Sequence, residues 1–340
     1  MKIACFSFTD KGKDFGDKIV NFSNPEKDKY MVHHYINSQI EGGIKKILEN
    51  AWKEYDGLIF ISATGIAVRM VAPYIRSKTL DPAVVVVDDL GRFSISLLSG
   101  HLGGANELAQ WVADKTESIP VITTASDNRG IEAIDIFAKK NNYDMEDMKS
   151  IKDITSMMVN GKTIGFYSET DTVIDYNNLL IIEDLENIDK NIDGMIIVAS
   201  RKIENLNIPH TILRPKNINI GIGCRKGVEG KRIIEAVQES LEHNKLSDKS
   251  IKVIGTVEVK KNEVGILDTA KYYNTPLKIF TIDEIKDVED QFEKSQFVKD
   301  TIGVYSVSEP CAYLLGGEMV SQKSKHNGIT ISITKEDKDG

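Results

Sequence analysis

Hydrophobic and polar residues alternate along the first 130 residues with the two periods that distinguish strands from helices. Apolar runs rich in β-branched residues predict strands, and apolar residues spaced three and four apart predict helices. We expect strands at residues 3–8, 30–36, 57–62, 83–87, 93–98 and 120–124, and helices at 44–51, 66–75 and 105–115. A turn at Gly91 would pair the fifth strand with the fourth. This alternation favours an α/β domain with a largely parallel sheet.

The remaining chain shows the same alternation of strands and helices, and the pattern changes at about residues 131 and 215. Residues 131–214 predict helices at 131–141 and 146–159, and short strands at 163–167, 179–182, 195–199 and 211–213. Residues 215–340 predict strands at 217–222, 251–257, 277–280, 302–307 and 329–333, and helices at 233–241 and 308–315. We therefore predict three consecutive α/β domains, 1–130, 131–214 and 215–340, with a small middle domain and a compact C-terminal one.

The most distinctive stretch is residues 98–108, where a predicted strand ends in a glycine-rich bend and a helix begins. The bend holds Gly100, His101, Gly103 and Gly104. The polar side chains nearest to the start of the helix are His101, Asn106 and Glu107. Unpaired N–H groups at a helix N-terminus favour negative charge, so this bend is a candidate site for an anionic or catalytic group.

Each group in this bend has a catalytic and a structural interpretation, and the sequence leaves both open. His101 is a general acid or base, an axial ligand to a metal in the substrate, or a histidine that packs the turn. Glu107 orients His101, acts as a base itself, or only stabilises the helix dipole. Gly103 and Gly104 either let a ligand approach the backbone or simply form the turn.

Two other places combine strand ends with polar or basic residues. Thr64-Gly65 and Thr123-Thr124 follow predicted strands, where open α/β sheets bind ligands, although threonine hydroxyls also cap helices. Together with the bend they predict one anion-accepting site across residues 64–107. A second is predicted around residues 223–227, where Arg225 and Lys226 precede a helix.

Composition and motifs exclude several function classes. The 340 residues are 41% hydrophobic and 28% charged, which is typical of a soluble globular protein. The net charge of −8 argues against nonspecific nucleic-acid binding, although Arg69, Arg76 and Lys78 form a local basic cluster. The G-x-G-x-x-x-G spacing at 221–227 is one residue too long for NAD binding, and no ATP phosphate loop occurs. Three scattered cysteines fit neither a zinc site nor a disulfide framework. No apolar run approaches the roughly 20 residues of a membrane span, and no signal peptide is evident, so we expect a cytoplasmic protein without membrane contact.

Several blocks together resemble one known family. They are Thr64–Arg69, Asp81–Asp88, Leu98–Ala109, Pro120–Thr124, Gly221–Gly227, Lys260–Glu263, Ser295–Val298 and Val307–Pro310. In this order they resemble the CbiG family of cobalamin-biosynthesis proteins, the cobalt-precorrin 5A hydrolases of the anaerobic pathway. The similarity extends over nearly the whole chain and is weakest in the middle region. The block SGHLGGANELA is its most specific part.

The resemblance implies a hydrolase that acts on a cobalt-containing tetrapyrrole. The ring-A acetate of this substrate is closed as a δ-lactone onto the C20 meso position. Water opens the lactone, C20 leaves with its methyl group as acetaldehyde, and the product is cobalt-precorrin 5B. The cobalt travels with the substrate, so we expect no cofactor and no metal site in the protein.

The resemblance also implies roles for individual residues. We expect His101 to be the acid or base and Glu107 to orient it, while N–H groups near Gly103 and Gly104 stabilise the oxyanion. Arginines and helix N-termini should hold the substrate carboxylates. The expected substrate-binding residues are Thr64, Gly65, Arg69, Arg92, Ser99, Gly100, Gly103, Gly104, Asn106, Thr123, Thr124, Gly223, Arg225 and Glu309.

Two alternatives to this enzyme remain open from the sequence. The protein could hold a cobalt-corrinoid intermediate and pass it on, as a chaperone that performs no chemistry. It could also be another hydrolase or transferase that acts on a polyanionic metabolite. Other cobalamin-pathway enzymes and a second copy of the chain, in a homodimer, are the further partners we expect; nucleic acid is not among them.

Overall fold

The computed structural model describes residues 1–23, 29–77, 80–124, 131–188, 191–204 and 206–336. The chain forms two compact units, residues 1–136 and 137–340. Three β-sheets and the helices beside them give the α/β architecture that the sequence predicts. Within the described ranges, no helix is long and apolar enough to cross a membrane. Lys78 of the predicted basic cluster lies outside the described residues.

The first unit is built on a six-stranded sheet in the order β2-β1-β3-β4-β5-β6. Its strands are β1 (Lys2–Ser7), β2 (Met31–Ile36), β3 (Gly57–Ile61), β4 (Ala83–Val87), β5 (Phe93–Leu98) and β6 (Ile119–Val121). Neighbouring strands are parallel except β4 and β5, which form the hairpin predicted at Gly91. The sheet is therefore largely parallel, as expected, but β5 and β6 run opposite to the others.

Helices cover both faces of this sheet. They are α1 (Asp10–Phe22), α2 (Ile44–Glu54), α3 (Thr64–Val71) and α4 (Ala105–Thr116), and α5 (Ile134–Lys140) follows β6 in the chain. Alternate residues of β1 point to opposite faces. Ile3 packs in one core with α1 and α4, and Phe6 packs in the other with α2 and α3. The sheet thus lies between two helical layers. The loops at the two ends of its strands are left to form sites.

The second unit contains two five-stranded sheets, of which the first has the order β7-β11-β10-β8-β9. Its elements are β7 (Asp144–Met145), α6 (Met148–Val159), β8 (Ile164–Ser168), β9 (Leu179–Ile181), β10 (Gly194–Val198) and β11 (His210–Arg214). Only β7 is antiparallel to its neighbour. Asp147 caps α6 by accepting hydrogen bonds from the N–H groups of Lys149 and Ser150.

The other sheet of this unit has the order β14-β13-β12-β16-β15. Its strands are β12 (Ile218–Cys224), β13 (Ile251–Val257), β14 (Leu277–Phe280), β15 (Glu318–His326) and β16 (Ile329–Lys335). Its helices are α7 (Gly230–His243), α8 (Val264–Tyr272), α9 (Ile282–Lys286), α10 (Gln296–Ile302) and α11 (Ser308–Leu315). β12, β13 and β14 are parallel, whereas β16 is antiparallel to both of its neighbours, β12 and β15.

Two predicted elements differ from the structure. The strand predicted at 302–307 is wrong, because α10 ends at Ile302 and Gly303 closes it with φ of 88°. Val304 and Val307 are buried as irregular chain in the core beside α11, which explains the apolar pattern. The helix predicted at 66–75 instead spans Thr64–Val71 and changes to a 3₁₀ turn that contains Pro73.

Candidate functional site

The direction of β5 determines where the glycine-rich bend lies. We call the edge where β1, β3 and β4 begin the amino edge, and the edge where they end the carboxyl edge. Leu98 at the end of β5 pairs with Val84 at the beginning of β4, so the bend lies at the amino edge. β6 is parallel to β5, so Thr123 and Thr124 follow it at the same edge. The structure therefore brings the two threonines towards His101.

Four other predicted site residues lie at the opposite edge. α3, with Thr64, Gly65 and Arg69, follows the end of β3, and Arg92 lies in the hairpin turn after β4. A five-residue strand spans about 17 Å. The expectation of one site across residues 64–107 is therefore wrong, because the hairpin at Gly91 reverses β5 and takes the bend to the edge opposite α3.

The residues at the carboxyl edge have surroundings of their own. A cavity of about 530 Å³ is lined there by Arg69, Lys45 and Asn37, among others. Asp88 accepts hydrogen bonds from the N–H (2.7 Å) and Nε (3.0 Å) of Arg92, so Asp88 stabilises the hairpin turn.

Backbone geometry in the bend leaves few helix N–H groups for a ligand. The N–H groups of Ala105 and Asn106 donate to the carbonyls of Ser99 (3.1 Å) and Gly100 (3.0 Å), and that of Gly104 donates to His101 (2.9 Å). A Cβ atom on Gly103 would lie 2.4 Å from Ser99 Cβ, so only glycine fits there. No group among the described residues accepts a hydrogen bond from the backbone N–H of Gly103 or Glu107.

His101 is paired with a carboxylate that the sequence analysis did not identify. Its Nδ1 atom lies 3.8 Å from Oδ1 of Asp135, and the two side chains are only 16% and 6% exposed. Asp135 lies in the first turn of α5, where Oδ1 also accepts the N–H of Ile136 at 3.0 Å. The arrangement is a half-buried imidazole beside a buried acid, which suits proton transfer.

Glu107 is not the partner of His101. Its carboxylate forms an ion pair with Lys29, and both side chains are more than half exposed. The hydrogen bond to Glu107 raises the pKa of Lys29. In α4 the side chain of Glu107 points to the outer surface, so the expected orienting contact with His101 does not form.

Asn106 and Ser99 differ in whether their side chains form hydrogen bonds within the protein. Asn106 is buried, accepts a hydrogen bond from Ser96 Oγ (2.6 Å) and donates one to Thr124 Oγ1 (3.0 Å). It therefore ties β5 to the segment after β6. Ser99 adopts φ of 57°, and its buried hydroxyl has no hydrogen-bond partner in the described part of the chain. A buried hydroxyl without a partner is costly, which favours a ligand at this point.

The predicted residues of the C-terminal domain lie around a different cavity. Gly223 and Arg225 line it. A Cβ atom on Gly223 would lie 2.6 Å from Thr330 Oγ1, so glycine allows β12 and β16 to pack closely there. Glu309 is buried behind the lining, where it accepts a hydrogen bond from Ser306 (3.0 Å) and pairs with Lys323 (3.2 Å). Glu309 is therefore buried beside a lysine of the lining and is not itself a lining residue.

Two residues at these sites escaped the sequence analysis for different reasons. Asp135 is a single acid inside the apolar run Ala133–Phe137, and that isolation is a signal that could have found it. Lys323 lies on β15, whose largely polar sequence hides a strand. The described residues contain no group of three or more His, Cys, Asp or Glu side chains that could hold a metal ion.

Comparisons with known proteins agree along the chain. Family models match in order: cobalamin synthesis G N-terminal at 46–127, cobalamin biosynthesis central region at 132–215, and cobalamin synthesis G C-terminus at 218–334. A cobalt-precorrin-5A hydrolase of Salmonella typhimurium is 36% identical over 301 residues, covering 86% of each chain. Another, of Priestia megaterium, is 33% identical over 308 residues, covering 86% of this chain and 82% of that one.

A solved structure also matches over the length of the chain. It is a cobalamin biosynthesis protein G homologue from Sulfolobus solfataricus, 24% identical, which covers 99% of this chain and 97% of its own with a TM-score of 0.40. The family assignment rests on the sequence matches, since three successive family models and two relatives span most of the chain. The protein therefore belongs to the cobalamin synthesis G (CbiG) family.

Proposed function

We propose that the protein is a hydrolase that converts cobalt-precorrin-5A to cobalt-precorrin-5B, and that the bend at the amino edge is its reaction site. The relatives named cobalt-precorrin-5A hydrolase support the substrate and the reaction class. The observation that carries the choice of site is the pair formed by His101 and Asp135, 3.8 Å apart beside the glycine-rich bend.

The proposed reaction consumes one water molecule. The water oxygen bonds to the lactone carbonyl carbon, and the bond between this carbon and the oxygen on C20 breaks. This step frees a carboxylate on ring A and a hydroxyl on C20. Loss of the hydroxyl proton forms the aldehyde C=O, and the bond from C20 to the macrocycle breaks. The electron pair of that bond stays on the macrocycle, and C20 leaves with its methyl group as acetaldehyde.

In this proposal His101 moves the protons. Its imidazole takes a proton from the attacking water, because a neutral ring nitrogen is a suitable base near neutral pH. Asp135 acts as a positioning residue through Nδ1, and Nε2 is the nitrogen that takes the proton. The separation of 3.8 Å is longer than a hydrogen bond, and such contacts often tighten when substrate binds. Glu107 is therefore replaced by Asp135 in the orienting role.

The bend also offers donors for the negative charge that develops on the carbonyl oxygen. The N–H groups of Gly103 and Glu107 have no acceptor in the described ranges, and they lie at the positive end of α4. The buried hydroxyl of Ser99 adds a third donor. Donors that are already fixed in place stabilise an oxyanion without reorganising. Gly100, Gly104, Asn106, Thr123 and Thr124 would shape the walls of this site.

The wider setting of the reaction follows from the same proposal. Cobalt enters and leaves as part of the tetrapyrrole. We expect the protein to act in the cytoplasm, without a cofactor of its own. Other cobalamin-pathway enzymes and a second copy of the chain stay predicted partners.

The test is acetaldehyde release from cobalt-precorrin-5A by the purified full chain, followed by NADH consumption with alcohol dehydrogenase. The unsubstituted protein should release one acetaldehyde for each substrate consumed. His101→Gln should lower the rate by roughly a hundredfold or more, the usual contribution of a general base. His243→Ala, at an exposed histidine in the last turn of α7, is the matched control and should keep the full rate.

Two results would contradict the proposal in different ways. Release at the normal rate by His101→Gln would remove His101 from the reaction. A protein that binds the substrate tightly but releases no acetaldehyde would instead be a carrier for the intermediate, which is the first of the two alternatives that the sequence leaves open.

A further inference from the structure

The second unit contains a cavity that the reaction proposed above does not use. Its volume is about 620 Å³. Ligand pockets usually measure about 300–1,000 Å³. The end of β12, the beginning of β16, part of β15 and the outer side of α10 form its walls. It lies entirely within residues 223–330, so it is a property of the C-terminal sheet.

The lining of this cavity is strongly basic, although the chain as a whole carries a net charge of −8. Among the described residues that line the cavity, Glu293 is the one carboxylate. Its cationic side chains are Arg225, Lys226, Lys260, Lys294, Lys323 and Lys325. In an acidic protein such a concentration of positive charge requires a local reason, and an anionic ligand supplies one.

Ion pairs within the chain neutralise only part of this charge. Lys323 lies between Glu309 (3.2 Å) and Glu293 (3.1 Å), and Lys325 shares Glu293 at 3.2 Å. Arg225 and Lys226 form no ion pair with any residue that the structure describes, and both are exposed. These two side chains therefore carry the charge that remains available, next to a lysine that Glu309 holds in place.

One wall of the cavity is apolar. Phe297 on α10 is 68% exposed, and Val298, Ile302 and Val307 continue the apolar surface beside it. An exposed phenyl ring offers a face on which a flat ligand can stack. Inorganic anions would use the cations and leave this wall bare. The combination fits a larger ligand with a flat apolar body and several acidic groups at its periphery.

We propose that this cavity binds a tetrapyrrole through its peripheral carboxylates, with Arg225 and Lys226 as the anchors and Phe297 against the macrocycle. The guanidinium of Arg225 can bind a carboxylate through two parallel hydrogen bonds, while Lys226 acts as a point charge. The choice of a tetrapyrrole rests on the proposed function. The basic and apolar residues that line the cavity determine where the ligand would bind and why it should carry several carboxylates.

The experiment compares two probes on the full chain by isothermal titration calorimetry. Cobyrinic acid is a cobalt corrinoid with carboxylates at its periphery. Cobinamide carries amides in place of these carboxylates. Arg225→Met/Lys226→Met should weaken binding of cobyrinic acid about tenfold or more, a loss of at least 1.4 kcal/mol. Lys231→Met, at an 85% exposed lysine on α7 outside the cavity, is the matched control and should bind like the unsubstituted protein.

The outcomes separate this proposal from the proposed reaction. Weaker binding in the double variant, with much weaker binding of cobinamide to the unsubstituted protein, supports the cavity. Equal affinity of the double variant and the control, or equal affinity for both probes, overturns it, whatever the acetaldehyde assay gives. Binding of cobyrinic acid that depends on Arg225 and Lys226, without any acetaldehyde release, keeps the cavity and removes the hydrolysis.

Discussion

Nδ1 of His101 lies 3.8 Å from Oδ1 of Asp135, although the two residues belong to different segments of the chain. His101 lies in the bend between β5 and α4, and Asp135 lies in the first turn of α5. The carboxylate is almost fully buried, whereas the imidazole keeps part of its surface open. A buried acid beside a partly open histidine is a geometry that can fix the orientation of the imidazole ring.

Asp135→Asn tests this relationship. The amide keeps the shape of the side chain but removes its charge, so we expect kcat for acetaldehyde release to fall roughly tenfold to a hundredfold, as for other residues that hold a functional histidine. KM should change little, because in the proposed reaction Asp135 acts through His101 and not on the substrate. Asp135→Glu should restore part of the rate. A fall in thermal stability with unchanged kcat would show that the pair only supports the fold.

Gly103→Ala tests the close packing of the bend. The new Cβ would lie 2.4 Å from Ser99 Cβ and 2.8 Å from Ser99 O, so we expect a loss of about 1–3 kcal/mol in the free energy of unfolding. Gly65→Ala is the control, because its Cβ would approach no atom closer than 3.6 Å and the site is an exposed turn of α3. That change should raise stability by up to about 1 kcal/mol. Urea denaturation measures both, and equal stability of the two variants would contradict the packing argument.

Lys323→Met tests the buried ion pair behind the C-terminal cavity. Lys323 and Glu309 are 8% and 5% exposed, so removing the lysine leaves a buried carboxylate without its partner. We expect a loss of about 3–5 kcal/mol in the free energy of unfolding. Lys323→Met/Glu309→Met should recover most of this loss, because both charges are then gone. A double variant as unstable as the sum of its single variants would mean that the pair is not coupled.

Glu169→Gln tests a carboxylate that joins the two sheets of the second unit. Glu169, next to β8, accepts hydrogen bonds from Ser200 Oγ and Lys335 Nζ, both at 2.8 Å. Burial opposes the ionisation of Glu169, but the ion pair with Lys335 and the hydrogen bonds from Ser200 outweigh it and lower its pKa. A lowered pKa in the folded state means that the carboxylate stabilises the fold above its unfolded pKa of about 4.3.

The contribution of Glu169 to stability depends on pH. Glu169→Gln should be less stable than the unsubstituted protein at pH 7, and the difference should shrink as the pH falls below about 4.3 towards the folded-state pKa. Glu186→Gln is the control, because Glu186 is exposed in the loop after β9. Its stability should differ little from that of the unsubstituted protein at any pH. Urea denaturation at a series of pH values measures this. A constant gap between Glu169→Gln and the unsubstituted protein would contradict the linkage.

Local patterns in the sequence were sufficient to predict most helices and strands. The β-branched run of β4 and the apolar stripe of α4 depend only on which residues are buried, and burial repeats with the period of each element. The same patterns predict the strand–bend–helix at Ser99–Ala105, because glycines and a helix start are local features. The pattern was misleading at 302–307, where Val304 and Val307 are buried without forming a strand.

The sequence by itself therefore determined the α/β alternation, the glycine-rich bend and His101 within it. The sequence also predicted the hairpin of β4 and β5, which places His101 at the opposite edge from Arg69, but only the tertiary structure decided that β6 lies parallel to β5 and brings Thr124 to the same edge as His101. Only the tertiary structure brought Asp135 to His101, and Lys323 to the cavity beside Arg225. The physical reason is that burial and turns act locally along the chain, whereas the order of strands in a sheet and the meeting of charged groups depend on contacts between distant segments.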